Sequence, residues 1–252
     1  MNRVLNPSFA LVAGDRSMTR ILTMPSKPLP IPPLEQGDHL TRDEFERRYE
    51  AMPHLHKAEL IEGVVYMPSP VRFNQHGGQQ ADLISCLGVY RAHTDGVRVG
   101  VNSTVRLDLT NEPQPDAVAF IEPSHGGQVV ISADGYIEGA PEMAAEISAS
   151  TTSFDLHTKL VVYRRNGVKE YVVWRVLDDA IDWFVLRAGQ YNRLALSPAG
   201  FYQSEVFPGL WLDPAAMCRG DLTTVLQVLQ QGLASPEHAA FVQQLQEVAS
   251  QR

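Results

Sequence analysis

The sequence predicts a mixed α/β fold of the α+β kind, a central sheet flanked by helices with a helical tail, and three observations carry that expectation. The hydrophobic period is close to 3.6 from Phe73 to Ala92, where Gln80, Leu83, Ile84, Leu87 and Tyr90 recur, and drops to 2 between Val97 and Leu109. The short apolar strands Pro115–Ile121 and Met143–Ser148 are followed by a helical segment, Asp155–Asn166, and a further strand, Val168–Val176. The stretch from Pro214 to Gln251 carries apolar residues at helical spacing and breaks around Ser235-Pro236, which predicts two helices.

Prolines, glycines and caps bound the remaining elements. Residues 1–38 hold five prolines between Pro25 and Pro33 and no sustained periodicity, so they read as a loose arm. The apolar stretch Phe9–Ala13 is shorter than a signal-peptide core, which needs about 7 to 15 residues, and a cytoplasmic location is expected. Thr41 and Glu44 have the spacing of a capping box for a short helix to Ala51. Glu59–Met67 predicts a strand pair turning at Glu62-Gly63 and ended by Pro68 and Pro70, which cannot donate to a ladder. The glycine of Asn166-Gly167 suits a left-handed helix cap. Ala180–Arg187 and Gln190–Leu196 predict strands joined at Gly189, and Glu122–Ala140 reads as a polar connection.

Composition excludes several classes. The 252 residues carry 29 acids against 21 Lys plus Arg, a net charge of −8, and are 44% hydrophobic, as expected of a soluble globular chain. No run approaches the ~18 consecutive apolar residues of a membrane helix. The acidic balance argues against a generic nucleic-acid coat, which needs a basic excess, so any nucleic-acid contact is local. Cys86 and Cys218 are far apart and support neither a disulfide framework nor a zinc finger. The glycine-lysine phosphate loop, the dinucleotide turn, the nucleophile elbow and the zinc helix motif are all missing, and no organic cofactor is expected. His54 and His56 lie in a proline-flanked loop and read as solvated, because a transition-metal site needs three or four converging ligands.

The informative residues are acids at strand ends. Asp116 opens one strand and Glu146 lies near the end of another, between Ala145 and Ile147, where an unpaired carboxylate is costly to bury. Two carboxylates and a main-chain carbonyl such as that of Ile147 suit a hard cation, and Mg²⁺ (or Mn²⁺) usually takes only one or two protein carboxylates. Lys159 lies on the following helix, with Tyr163 and Asp155 four residues to either side on the same face. The competing expectation is an exposed Asp155–Lys159 salt bridge worth about 0.3 to 0.5 kcal/mol.

The order Glu59-Leu-Ile-Glu-Gly63, His76, Pro115-Asp116, Glu146-Ile-Ser-Ala-Ser-Thr151, Asp155 with Lys159, Tyr163 and Gly167-Val-Lys-Glu-Tyr171 resembles the Uma-type restriction endonucleases of the PD-(D/E)XK nuclease superfamily. The resemblance runs from Leu40 to Asp213 and ends on Phe207-Pro-Gly-Leu-Trp-Leu-Asp213. It implies a restriction-endonuclease-like mixed central β-sheet in a nuclease domain over 39–213, with 214–252 as a helical extension. It also implies Mg²⁺-dependent hydrolysis of DNA phosphodiester bonds by a metal-activated water. Asp116 and Glu146 would be metal ligands, Lys159 the charge-stabilising cation, Glu59 an assistant to the metal or its water, and His76 a contact to phosphate or to that water. Ser148 stands where the superfamily's lysine normally does, so the cation is assigned to Lys159.

Between Leu156 and Arg175 the local charge is +4, which offers Arg164, Arg165 and Lys169 as a grip on a phosphate backbone. The apolar stripes of the tail (Leu222, Val225, Leu229, then Phe241, Leu245, Val248) are expected to pack on the core or, if exposed, to form a homodimer. Two alternatives to the endonuclease stand beside it: a catalytically inert nuclease fold that binds nucleic acid or scaffolds an assembly, and a hydrolase of another phosphoester.

Overall fold

The computed structural model describes residues 30–67 and 72–251. Pro32–Arg252 is one compact unit and holds every helix and strand among the described residues. The expected boundary at residue 38 falls inside this unit, because Leu34 is buried against Phe45 and Leu60. Most of the proposed arm, and Pro68 and Pro70, lie outside the described residues.

Helix α1 (Arg42–Glu50) begins where the Thr41 hydroxyl accepts from the Glu44 amide at 3.5 Å. The return half of the capping box is not made, because the Glu44 carboxylate takes Arg47 and Arg48 at 2.6 to 2.8 Å instead. Strands β1 (Glu59–Ile61) and β2 (Val64–Tyr66) form the expected hairpin. Glu62 and Gly63 both have positive φ, 54° and 74°, the conformation of a tight two-residue turn. A single 3₁₀ turn, Phe73–Gln75, leads into α2 (Gly77–Ala92), which buries Leu83, Cys86, Leu87 and Tyr90.

Strands β3 (Val97–Val101), β5 (Ala117–Ile121) and β8 (Met143–Ser148) belong to a six-stranded sheet with β9 (Glu170–Arg175), β10 (Ala180–Arg187) and β11 (Gln190–Arg193). Its order is β11-β10-β9-β8-β5-β3, with β8 and β9 parallel and every other pair antiparallel, so the central sheet is mixed. The β8–β9 crossover is a continuous helical stretch: α3 (Thr152–Phe154), a π-turn at Asp155–Lys159, and α4 (Leu160–Asn166), closed by Gly167 at φ 86°. All six residues of β8 are buried.

Between β3 and β8 the alternation of Val105, Leu107 and Leu109 yields only a short strand, β4 (Val105–Arg106), and Leu109 is 72% exposed. The connection read as loop contains β6 (Val130–Ile131) and β7 (Ile137–Glu138), and β4, β7 and β6 form a separate small sheet. A local turn, in which the Asp108 carboxylate accepts from Thr110 and Asn111, ends the alternation. Strands β12 (Tyr202–Gln203) and β13 (Trp211–Leu212) form a small antiparallel pair.

Both faces of the six-stranded sheet are covered. On one, Ala145, Ile147, Val172 and Trp174 meet Leu87 and Tyr90 of α2 and the C-terminal helices. On the other, Ala144, Tyr171 and Val173 meet Tyr163 of α4. Strand alternation therefore sends Glu146, in step with Ala144, toward α4. The tail has three helices, α5 (Pro214–Cys218), α6 (Leu222–Leu233) and α7 (Pro236–Ser250). Asp213 and Asp221 cap and separate the first two, which the period alone had merged. Val225, Leu229, Phe241 and Leu245 are part of the main core, which makes the tail integral to the unit and leaves these residues unavailable as a dimer face.

Candidate active site

The ends of β1, β5 and β8 and the crossover helix meet around four buried acids. Glu59, Asp116, Glu146 and Asp155 are each 5% exposed or less, and Lys159 among them is 3% exposed. The Lys159 ammonium donates to Glu146 Oε1 and to Glu59 Oε1, both at 2.9 Å. The Tyr163 hydroxyl donates to the same Glu146 oxygen at 2.9 Å. The four-residue spacing read from the sequence is what delivers both donors from one helix face. The π-turn that ends on Lys159 is a feature frequent at functional sites.

Asp116 is held separately. Its Oδ2 accepts the Ile147 amide at 2.7 Å and faces His76 Nε2 at 3.1 Å, while Lys57 Nζ stands 3.6 Å from Oδ1. The Gln80 side chain donates to the Asp116 carbonyl at 3.0 Å, which fixes the backbone just before β5. His76 precedes α2 but does not cap it: its side chain turns to the carboxylate. Ile147 touches Asp116 through its amide, whereas the sequence had offered its carbonyl to a metal.

Asp155 and Lys159 form no exposed salt bridge. Asp155 Oδ2 instead accepts from Ser148 at 2.8 Å and Thr151 at 2.6 Å. The residue in the superfamily's usual lysine position thus clamps the start of the helix that carries the displaced lysine.

Burial and neighbours set the protonation of the cluster. Burial pushes Glu146 up to about 8, against the pull of Lys159, and Asp116 and Asp155 add to the rise. For Asp116 burial acts in the same sense but is outweighed by His76, Lys57 and the Ile147 amide, so its carboxyl is held below the usual value. Burial would lower Lys159, yet Glu146 and Glu59 more than reverse this and keep the amine charged. The Tyr163 hydroxyl is held well above its usual value by burial and by Glu146, so it stays a donor.

Asp116 and Glu146 are the residues that would hold a hard divalent cation. Among the described residues, Asp116 Oδ1 and Glu146 Oε2 take no hydrogen bond, so each carboxylate keeps one oxygen for a ligand. No group of three or more His, Cys, Asp or Glu side chains converges on a metal-holding geometry among those residues. Two carboxylates would be enough for Mg²⁺, which retains several waters. Glu59 is bonded in the same one-sided way: its Oε1 takes Lys159 and, at 2.7 Å, the Gln114 amide, and among the described residues its Oε2 takes no hydrogen bond.

The basic residues expected to grip a backbone are not gathered here. Arg165 pairs with Glu62 and Asp108, Lys169 with Glu142, and Arg175 with Asp178 and Asp182, while Arg164 donates to the Gly189 carbonyl at 2.9 Å. The local +4 is therefore met by acids from other elements, which a window along the chain does not see. His54 and His56 are exposed. The sequence reading missed Lys57, Gln114 and the Ser148–Thr151–Asp155 clamp. Lys57 had a signal, since it stands two residues before Glu59 and an extended chain puts such residues on one side.

The mixed sheet flanked by helices is a fold shared with a solved structure from Anabaena variabilis described as a putative nuclease belonging to DUF820. That likeness has a TM-score of 0.50 at 16% identity and covers 71% of this chain and 99% of the other. Residues 42–215 match the Uma2 family, described as "Putative restriction endonuclease", and the chain belongs to that family. No curated protein matches it.

Proposed function

We propose that this chain is a Mg²⁺- or Mn²⁺-dependent endonuclease that hydrolyses DNA phosphodiester bonds. The observation that carries the reading is the contact of Lys159 with Glu146 at 2.9 Å, made from a helix rather than from the strand. Buried charges cost several kcal/mol to desolvate even when paired, so a cluster of acids around one lysine is weakly explained by stability and better by a chemical role.

A Mg²⁺ held by Asp116 and Glu146 would supply a Lewis acid for the phosphoryl oxygen and a water acidic enough to attack in line. The protein's own residues prepare that place. His76 and the Ile147 amide hold one oxygen of Asp116 so that the other is left for the cation. Tyr163 and Lys159 do the same for Glu146. Lys159, enclosed between Glu59 and Glu146, contributes a fixed positive charge beside the reacting phosphate, worth most where water is excluded.

Titration of Mg²⁺ against thermal unfolding tests the assignment, because a ligand that binds only the native state stabilises it by RT ln(1 + [L]/Kd). The unfolding midpoint of the wild type should rise with Mg²⁺ and that of Asp116→Ala should not, with metal-dependent nicking lost in Asp116→Ala and Glu146→Ala. A wild-type midpoint indifferent to Mg²⁺ and Mn²⁺ would instead favour an inert nuclease-fold module, and nicking that survives either substitution would remove the ligand assignment.

A further inference from the structure

Two lysines flank the carboxylates, and their situations differ. The Lys159 side chain is 4% exposed and its ammonium makes two charge-assisted hydrogen bonds at 2.9 Å. The Lys57 side chain is 28% exposed and lies 3.6 Å from Asp116 Oδ1 without a hydrogen bond. A phosphodiester approaching the site brings another negative charge toward Glu59, Asp116 and Glu146, so it needs a cation that it can touch.

Energies decide which cation that is. Breaking a buried pair to free Lys159 would cost about 3 to 5 kcal/mol. The Lys57 ammonium is partly in water and makes no hydrogen bond to the buried Asp116, which keeps His76 and the Ile147 amide when the lysine moves, so it leaves at less cost than Lys159. A divalent cation on Asp116 would weaken that pair further, because it brings like charge to the oxygen that Lys57 faces.

We infer that Lys57 is the substrate-contacting cation of this site: it rests on Asp116 in the metal-free protein and moves to a non-bridging oxygen of the DNA phosphate when metal and substrate bind. This rests on the nuclease reading and adds to it a division of labour, with Lys159 as the fixed charge that positions the carboxylates and Lys57 as the hand that meets the backbone. Nothing in the resemblance that identified Lys159 pointed to Lys57.

The test is DNA binding by the full chain, with Ca²⁺ replacing Mg²⁺ to hold the substrate uncleaved, measured across a range of salt for wild type, Lys57→Gln and Lys57→Arg. Mn²⁺ binding without DNA is measured in parallel by calorimetry. One lost phosphate contact lowers the salt slope by about one unit, and at ~0.1 M salt this corresponds to roughly tenfold weaker binding. Lys57→Gln should show both changes while binding Mn²⁺ as well as the wild type or better, since the competing ammonium is gone, and Lys57→Arg should restore the slope. A Lys57→Gln protein with wild-type DNA affinity and slope overturns the assignment of Lys57 and leaves the nuclease reading standing. A wild type that binds no DNA overturns both, and a joint loss of Mn²⁺ and DNA binding in Lys57→Gln marks the lysine as structural and overturns the inference.

Discussion

Glu146 and Glu112 are both carboxylic acids pushed up to about 8, chiefly by burial, and they differ in what surrounds them. Glu146 has Lys159 and Tyr163 on one oxygen. Glu112, whose backbone pairs with Leu60, faces the Glu46 carboxylate instead, and that contact reinforces the rise. With its pKa raised on folding, Glu112 binds a proton more tightly in the native than in the unfolded chain between the usual carboxylate value and about 8, so its contribution to stability falls as pH rises through that window. Glu112→Gln mimics the protonated form at every pH. The variant should gain on the wild type by up to about 1.4 kcal/mol per pH unit through that window and run parallel to it above. Denaturant melts at several pH values check this, and a constant offset between the two proteins would contradict it. At this scale the sequence was informative where a residue was out of place: Glu146 in an apolar strand asks for a partner, and Lys159 and Tyr163 supply it. Glu112 and Gln114 sit in segments with no period, so nothing local marks them as buried or paired.

The elements were legible wherever a long period or a strong boundary spoke. Helix α2, strands β5, β8, β9 and β10 and the break at Ser235-Pro236 follow directly from apolar spacing, prolines and glycines. The small sheet of β4, β7 and β6 did not, because two-residue strands have too few residues to show alternation and depend on partners distant in sequence. The crossover helix starts at Thr152, before the first residue expected, because Asp155 is tied to Ser148 and Thr151 and draws the first turn onto the end of β8. Helix α6 shows a different control, a close approach. Gly232 lies where an added Cβ would stand 2.3 Å from the Gly209 carbonyl oxygen and 2.7 Å from the Trp211 ring. Gly232→Ala gains about 1 kcal/mol of helix propensity but forces α6 off that turn. Overpacking typically costs about 1 to 3 kcal/mol, so the net effect should be destabilising. Thermal melts measure it, and an unchanged or raised midpoint would mean that the contact yields.

At the scale of the whole molecule, the tail is part of the core rather than an addition to it, and no described helix is long and apolar enough to cross a membrane. The net charge of −8 is distributed unevenly in consequence. Part of it is the set of buried acids around Lys159, and much of the basic charge expected to meet DNA is spent on acids brought in from other elements. Linear charge counting therefore overstated the grip and understated the site, because pairing depends on neighbours that only the fold provides. The fold class and the acids could be read from one dimension, while the state of each cation could not. The proposal that matters most is that Asp116, Glu146 and the lysine between Glu59 and Glu146 form a metal-dependent nuclease centre. Nicking of supercoiled plasmid in Mg²⁺ by wild type and by Glu146→Gln tests it, since the variant keeps an oxygen for Lys159 and Tyr163 but cannot ionise to a carboxylate that would hold the cation. Wild type should nick and lose activity to chelator, with the folded variant slower by about 10²-fold or more. A variant as fast as wild type, or a wild type inert in both Mg²⁺ and Mn²⁺, would refute that proposal.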